Sequence, residues 1–312
     1  MNTKNILAID IGGTKIASAL VSLKKDSFQI FDYQKIKTPK NKKEFLKTVE
    51  EIIANRLANS QLKPKTGSGI SQISIAIPGQ VDSEKGEIIF APALVYLKGH
   101  RIKKLIESKF KINVEVDNDM NCCALAESRF GAGKKYRNIL AITVSTGVGA
   151  GIIINEKVYR GENNIAGEIG HLVLMPNGIK CSCGNRGCLE KYVSGPAIER
   201  EYFKLTGVKK TPLEIEEEFK LSKKNNPARK VVNQTSKMLG IGLTSIVNIL
   251  NPGVIVVIGG ISRMNGIFSE ARKEIKKNAL IPARKTKIVR SKLGDQAVLI
   301  GAAMLGENST PS

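Results

Sequence analysis

The sequence predicts an α/β fold in about two domains, each built on a largely parallel sheet. Three observations carry this expectation. At the usual domain size, 312 residues make about two domains, and either is long enough to bury its own core. Short apolar runs of strand type alternate with helical patterns along the chain, as strand–turn–helix units do. Two strand–glycine-turn–strand units, around Gly12 and Gly147, hint at an internal duplication.

The elements follow in order. Asn5–Ile11 is an apolar run that meets Gly12-Gly13, and Lys15–Val21 continues as a second strand. Phe45, Leu46, Val49, Ile52, Ile53 and Leu57 recur at three and four residues, so Asn41–Asn59 is an amphipathic helix. Ile73–Ile77 is a strand stopped by Pro78-Gly79. Val114–Val116 is another, after which Asp117-Asn118-Asp119 caps a helix running to about Phe130. Ile139–Val144 leads into Ser145-Thr146-Gly147-Val148-Gly149, and Ala150–Ile154 returns as its hairpin partner. A long helical pattern covers Pro227–Leu250, and the Val254–Ile258 strand then meets Gly259-Gly260 and a further helix. The tail from Glu307 is expected to fray.

Composition narrows the function. Apolar residues are 42% of the chain, a globular share that excludes a disordered or fibrous protein. No apolar run reaches the roughly 18 residues of a membrane span. Met1–Asn5 leads into strand without a signal-type apolar region, so the expectation is a cytoplasmic protein with no membrane partner. The 49 Lys and Arg against 28 Asp and Glu give +21, which raises the question of nucleic acid. Lysines outnumber arginines about threefold and are scattered, aromatics are 5%, and Trp is absent. Base readout favours Arg and single-strand binding favours interleaved aromatics, so the charge reads as solvated surface that also favours anionic substrates. No specific nucleic-acid partner is expected.

Five cysteines are an odd number, unlike a secreted disulfide framework. Cys181, Cys183 and Cys188 fall within eight residues, with His171 upstream. Three thiolates and an imidazole complete a tetrahedral zinc set, and with four protein ligands the zinc is structural. Cys122 and Cys123 read as small core residues of a helix.

Asp10-Ile11-Gly12-Gly13-Thr14-Lys15 follows a strand directly. Its glycines let backbone N–H groups approach a phosphate, and its carboxylate suits Mg²⁺. It matches neither a dinucleotide loop nor a P-loop, and alone it is equally a hairpin turn. Ser145-Thr146-Gly147-Val148-Gly149 has the same form, and Gly259-Gly260 suits a wall for adenosine. Asn118-Asp119 is either a helix N-cap or a general base at the carboxyl end of a strand, and spacing leaves both open. Glu168 and Glu190 flank the zinc loop, where carboxylates are held well enough to bind hydroxyls.

Taken together these residues resemble the ROK family of sugar kinases, within the actin-like ATPase superfamily of ribonuclease H-like folds. The matching stretches are Asp10–Lys15, Ile77-Pro78-Gly79, Asn118-Asp119-Met120-Asn121, Thr146–Gly149, Gly167–His171, Cys181–Glu190, Gly259-Gly260 and Gly294-Asp295-Gln296 with Gly301-Ala302-Ala303. The resemblance implies a two-domain α/β architecture around a central ligand cleft, with the C-terminal helix returning to the first domain. The expected division is 1–117 plus 297–312, and 118–296 with the zinc loop. It implies ATP-dependent phosphorylation of a hexose 6-hydroxyl, with Asp119 as catalytic base. Asn118, Glu168, His171, Glu190 and Gly79 then bind sugar, and His171 uses one ring nitrogen for zinc and the other for sugar. Asp10 attends Mg²⁺. Gly12, Gly13, Thr14, Lys15, Thr146 and Gly147 serve the ATP phosphates, with Gly259 and Gly260 beside them. The implied partners are sugar and ATP, in a homodimer or higher homo-oligomer.

Glucose is the first expectation, with N-acetylmannosamine, N-acetylglucosamine or fructose as alternatives. Ala93 stands where many family glucokinases carry Asn, and Cys122 also occurs in acetylhexosamine kinases. A rival class is the ROK sugar-responsive regulator. Such regulators carry an N-terminal helix-turn-helix before the first phosphate loop, and the position of Asp10 argues against one here.

Overall fold

The computed structural model describes residues 4–58, 69–221 and 226–307. The end of the first helix at Asn59 and the tail from Asn308 lie outside the described residues. The chain forms two compact units, one from 1–131, 157–166 and 295–312, the other from 132–156 and 167–294.

In the first unit β1 (Lys4–Ile11), β2 (Lys15–Leu23) and β3 (Phe28–Lys37) form an antiparallel meander. Helix α1 (Lys42–Ala58) follows, then β4 (Ile70–Ile77), the small ribbon β5 (Gln80–Asp82) and β6 (Glu87–Phe90), and α2 (Ile102–Phe110). Strand β7 (Val114–Asn118) runs straight into α3 (Asp119–Arg129). The sheet order is β3-β2-β1-β4-β7, with β4 parallel to β1 and β7 parallel to β4. Leu7, Ile9, Ile11, Ile73, Ile75 and Ile77 are buried in one cluster with Phe45, Val49 and Ile53 of α1. Those three α1 residues are the stripe that the sequence periodicity marks, while Leu57 at its end is exposed. The β3 strand is not legible in the sequence, because as a sheet edge it buries little and reads as a polar segment.

The second unit repeats the plan. Strands β8 (Ile139–Val144) and β9 (Val148–Ile154) form the hairpin, and the Val254–Ile258 strand lies parallel to β8. Lys287–Arg290 extends the sheet, again parallel. The Pro227–Leu250 helix buries Leu239, Leu243 and Val247. Its buried Ser236 hydroxyl accepts from the backbone N–H groups of Glu270 and Ala271, both at 3.0 Å, so one helix supplies the cap of the Ser269–Asn278 helix. No helix among the described residues is long and apolar enough to cross a membrane.

A division after residue 117 falls just before α3. In the structure α3 packs on the Ala297–Ala303 helix inside the first unit, which runs on to Gly131. The contact is backbone on backbone: a Cβ at Gly301 would collide with the Cys122 carbonyl oxygen. Gly to Ala inside a helix normally stabilises by about 0.5–1 kcal/mol. Gly301→Ala should instead cost about 1–3 kcal/mol in denaturant melts, because overpacking outweighs propensity. A neutral or stabilising result would mean the two helices separate freely.

Candidate functional site

The first unit gathers its predicted residues at the carboxyl ends of three neighbouring strands. Register puts Asp10 beside Ala76, and Ile77 beside Asn118. After β1 the chain turns through Gly12, Gly13 and Thr14, closed by Gly12 N–H donating to the Lys15 carbonyl at 2.9 Å. Thr38 clamps the turn through its hydroxyl to the Gly12 carbonyl (2.7 Å) and its N–H to the Thr14 carbonyl (3.0 Å). Lys40 Nζ donates to the Gly13 carbonyl at 3.3 Å. Thr38 and Lys40 carry no motif and are missed by sequence reading. Lys15 is exposed at the start of β2. The backbone N–H groups of Gly13 and Thr14 donate to no acceptor among the described residues, which suits a phosphate. Ala93 leans on this turn, since a Cβ at Gly13 would come within 2.5 Å of its Cβ.

Asn118 is the N-cap of α3. Its Oδ1 accepts from Met120 N–H (2.7 Å) and Asn121 N–H (3.2 Å), while its Nδ2 donates to the Gly79 carbonyl at 2.8 Å. Gly79 has φ +105, and a Cβ there would collide with the Phe90 carbonyl. The capping function therefore belongs to Asn118, and Asp119 is the first helical residue, its Oδ1 accepting from Met120 N–H at 2.8 Å. Asp119 stands close enough to Asp10 to act on its titration. Burial raises the Asp10 carboxyl to about 7, the Asp119 carboxylate adds to the rise, and Lys35 opposes it.

Behind this pair Asp117 is buried. Its Oδ1 accepts from Asn118 N–H (2.7 Å) and Asn121 Nδ2 (2.9 Å), and its Oδ2 from Arg160 Nε (2.9 Å) and Nη2 (2.6 Å). The cap signal at Asp117-Asn118-Asp119 does not point to Arg160, since the pairing joins positions 43 apart.

The second unit holds the other predicted residues. The Gly167–His171 segment lies directly on β9: a Cβ at Gly170 would collide with the Val148 carbonyl, and Ala150 N–H donates to the Gly167 carbonyl at 2.9 Å. Glu190 reaches the Ser145–Gly147 turn, where its Oε2 accepts from Val148 N–H at 3.1 Å and lies 2.9 Å from where a Gly147 Cβ would stand. The N–H groups of Thr146 and Gly147 donate to no acceptor among the described residues. Glu168 shares the neighbourhood: burial raises its carboxyl, His171 lowers it, and Glu190 raises it. Gly259 follows the Val254–Ile258 strand with φ +89, and the space beside Gly260 is open, with nothing within 4 Å of a Cβ built there.

His171, Cys181, Cys183 and Cys188 bring one donor atom each within 4.8 Å of one another. Cys183 and Cys188 have their sulfurs 3.7 Å apart, far beyond a disulfide and close to the ~3.8 Å edge of a tetrahedron with ~2.3 Å zinc–sulfur bonds. His171 Nδ1 lies 3.7 Å from Cys181 Sγ, while Nε2 points the other way, 3.9 Å from a Glu168 oxygen. Burial pushes the Cys181 thiol up, yet hydrogen bonds involving the Cys183 backbone and the side chains of Cys183, Cys188 and His171 bring it down to about 7. The donor set and spacing fit zinc.

A profile described as the ROK family matches residues 6–309. The chain is 30% identical to a glucokinase of Streptomyces coelicolor, covering 98% of each. It is 30% identical to a xylose repressor of Caldicellulosiruptor bescii, over 95% of this chain and 76% of the repressor. It is 30% identical to an N-acetyl-D-glucosamine kinase of Vibrio cholerae, over 95% of this chain and 97% of that protein. Among solved structures, a ROK family glucokinase from Streptomyces griseus in complex with glucose and AMPPNP aligns at a TM-score of 0.78 and 28% identity, covering 97% of this chain and 99% of that one.

The Asp10 carboxyl makes a prediction about pH. The folded chain keeps this proton to about 7, whereas in the unfolded chain it leaves near 3.8. Between those values the folded state binds the extra proton, so stability falls as pH rises through the interval. In metal-free protein Asp10→Asn should flatten this slope and raise the melting temperature at pH 8 while changing it little at pH 4. Parallel pH profiles of variant and wild type would refute the assignment.

Proposed function

The chain belongs to the ROK family and has its actin-like ATPase fold, and from that premise we propose that it transfers the γ-phosphoryl group of ATP to the 6-hydroxyl of a hexose, glucose first. One observation carries this reading. Asn118 is the N-cap at the β7–α3 junction, and the Asp119 carboxylate next to it, at the carboxyl end of a strand, stands near enough to Asp10 to raise it. On this reading Asp119 takes the proton from the sugar hydroxyl as it attacks. Glu168 and the outward Nε2 of His171 bind sugar hydroxyls. Glu190 contributes the oxygen that Val148 does not use, and Asn118 the N–H that Gly79 does not use. The free amides at Gly13-Thr14 and Thr146-Gly147 hold phosphates, Gly259 and Gly260 border the nucleoside, and Asp10 holds Mg²⁺. The bound cation neutralises charge on the phosphates. Transfer is then mostly alignment and charge neutralisation.

The Vibrio cholerae relative supports an acetylhexosamine as the second substrate class. The repressor relatives support a sugar-responsive regulator as the reading from another class. ADP release measured across hexoses and acetylhexosamines decides among them. Turnover on a hexose is expected, and no turnover on any sugar together with tight binding to one operator sequence would overturn the kinase reading.

Asp119→Asn tests the base. The Asn118 cap is untouched, so the variant should melt within a few degrees of wild type. An amide does not accept the proton, so kcat should fall by about 10²–10⁴-fold. Turnover within a few fold of wild type would move the base elsewhere.

The cysteine cluster carries its own expectation of about one zinc per chain, read by elemental analysis of protein purified without added metal. Cys183→Ser should lower zinc content, melting temperature and sugar affinity together. Fully active protein without zinc would mean free thiols.

A further inference from the structure

We infer that Arg160, acting through Asp117, is a positioning residue for Asp119. The inference rests on Asp119 being the catalytic base. The Asp117 side chain is 2% exposed, and its two oxygens collect four donors that divide between two tasks. Arg160 supplies two nitrogens to Oδ2 (2.9 and 2.6 Å). The chain about to form the site supplies the other two to Oδ1: the Asn118 backbone N–H and the Asn121 side chain, one turn into α3.

The geometry explains why both halves are needed. A carboxylate this buried is costly as a lone charge, and the two-nitrogen grip of a guanidinium compensates it. Held and oriented in this way, Asp117 ties the last strand residue and the first helical turn to one point. That tie sets the Asn118 backbone, whose side chain then caps Met120 and Asn121 and grips Gly79. Asp119 lies between the two tied residues, so its direction follows from theirs. Arg160 itself is anchored: Ala166 N–H donates to its carbonyl at 3.0 Å, and Asn164, in the same loop, accepts from Ser83 at 3.3 Å.

Charge points the same way. Three carboxylates, Asp117, Asp119 and Asp10, all raise the buried Cys122 thiol beyond what burial does, while Arg160 lowers it. Arg160 is thus a cation set among the acids of this corner. A lysine keeps the charge but not the paired geometry, so Arg160→Lys separates the two contributions.

The experiment compares Arg160→Lys and Arg160→Gln with wild type in two measurements. In amide hydrogen exchange, Asn118, Met120 and Asn121 should lose about tenfold or more of their protection while β1 and β4 keep theirs. In kinetics with the best sugar found, kcat should fall by about 10²-fold with KM for sugar and ATP held within about threefold. Should the single variants fail to fold, the double variant Asp117→Asn with Arg160→Gln buries no lone charge and carries the same readouts. Unchanged protection at those three amides overturns the inference. So does a kcat loss that merely tracks the fraction unfolded, because that is what a purely structural pair produces. If wild type phosphorylates no sugar, the kinase reading falls, and exchange at the three amides still decides whether Arg160 sets the Asp119 turn.

Discussion

Parallel pairing on one edge of a hairpin sends three strand ends to the same side of a sheet, and in each unit that side gathers the residues that the sequence motifs mark. In the first unit the hairpin β1–β2 opens on Gly12-Gly13, and β4 and β7 add alongside. The ends that meet are therefore Asp10, Ile77 with its following Gly79, and Asn118 with Asp119. In the second unit the β8–β9 hairpin opens on Ser145–Gly147, and the next parallel strand ends at Gly259. Strand ends expose unpaired backbone groups, which is why α/β proteins put ligands there. The amides at Gly13, Thr14, Thr146 and Gly147, which donate to no acceptor among the described residues, follow from this layout.

Such a layout crowds acids, and the first unit handles them unequally. Asp117 is fully hydrogen-bonded and paired with Arg160, so it acts as an anchor. Asp10 is raised towards neutrality by burial and by Asp119. Asp119 sits at the helix start, where the first-turn amides and the helix dipole favour a negative charge. Three carboxylates close in space thus have different surroundings, set by the donors around each.

The second unit faces a different problem: fixing a loop whose apolar residues cluster at Leu172–Met175 and are not spaced along a helix or strand. Residues 171–188 lack the periodicity of a helix or strand, and three thiols and an imidazole bring their donor atoms within 4.8 Å of one another there. His171 links the cluster to Glu168, since its two ring nitrogens face opposite ways. Close crossings beside this cluster need glycine, as Gly170 on β9 illustrates.

By itself the sequence determined the alternation of strands and helices, the glycine turns, the cysteine cluster and the family resemblance. These are local signals: Phe45, Val49 and Ile53 repeat at helical spacing, and Cys181, Cys183 and Cys188 fall within one short loop. It could not separate cap from base at Asn118-Asp119, because both roles use the same residue types at a strand end. Only the tertiary structure gave the N-cap to Asn118, whose Oδ1 accepts from the Met120 and Asn121 N–H groups. It alone revealed β3, whose exposed edge has no apolar pattern, and the assignment of α3 to the first unit through Gly301. It alone joined Thr38 to Gly12 and Arg160 to Asp117. Such contacts depend on where distant segments come to rest, and a polar side chain's partner leaves no mark on the residues around it.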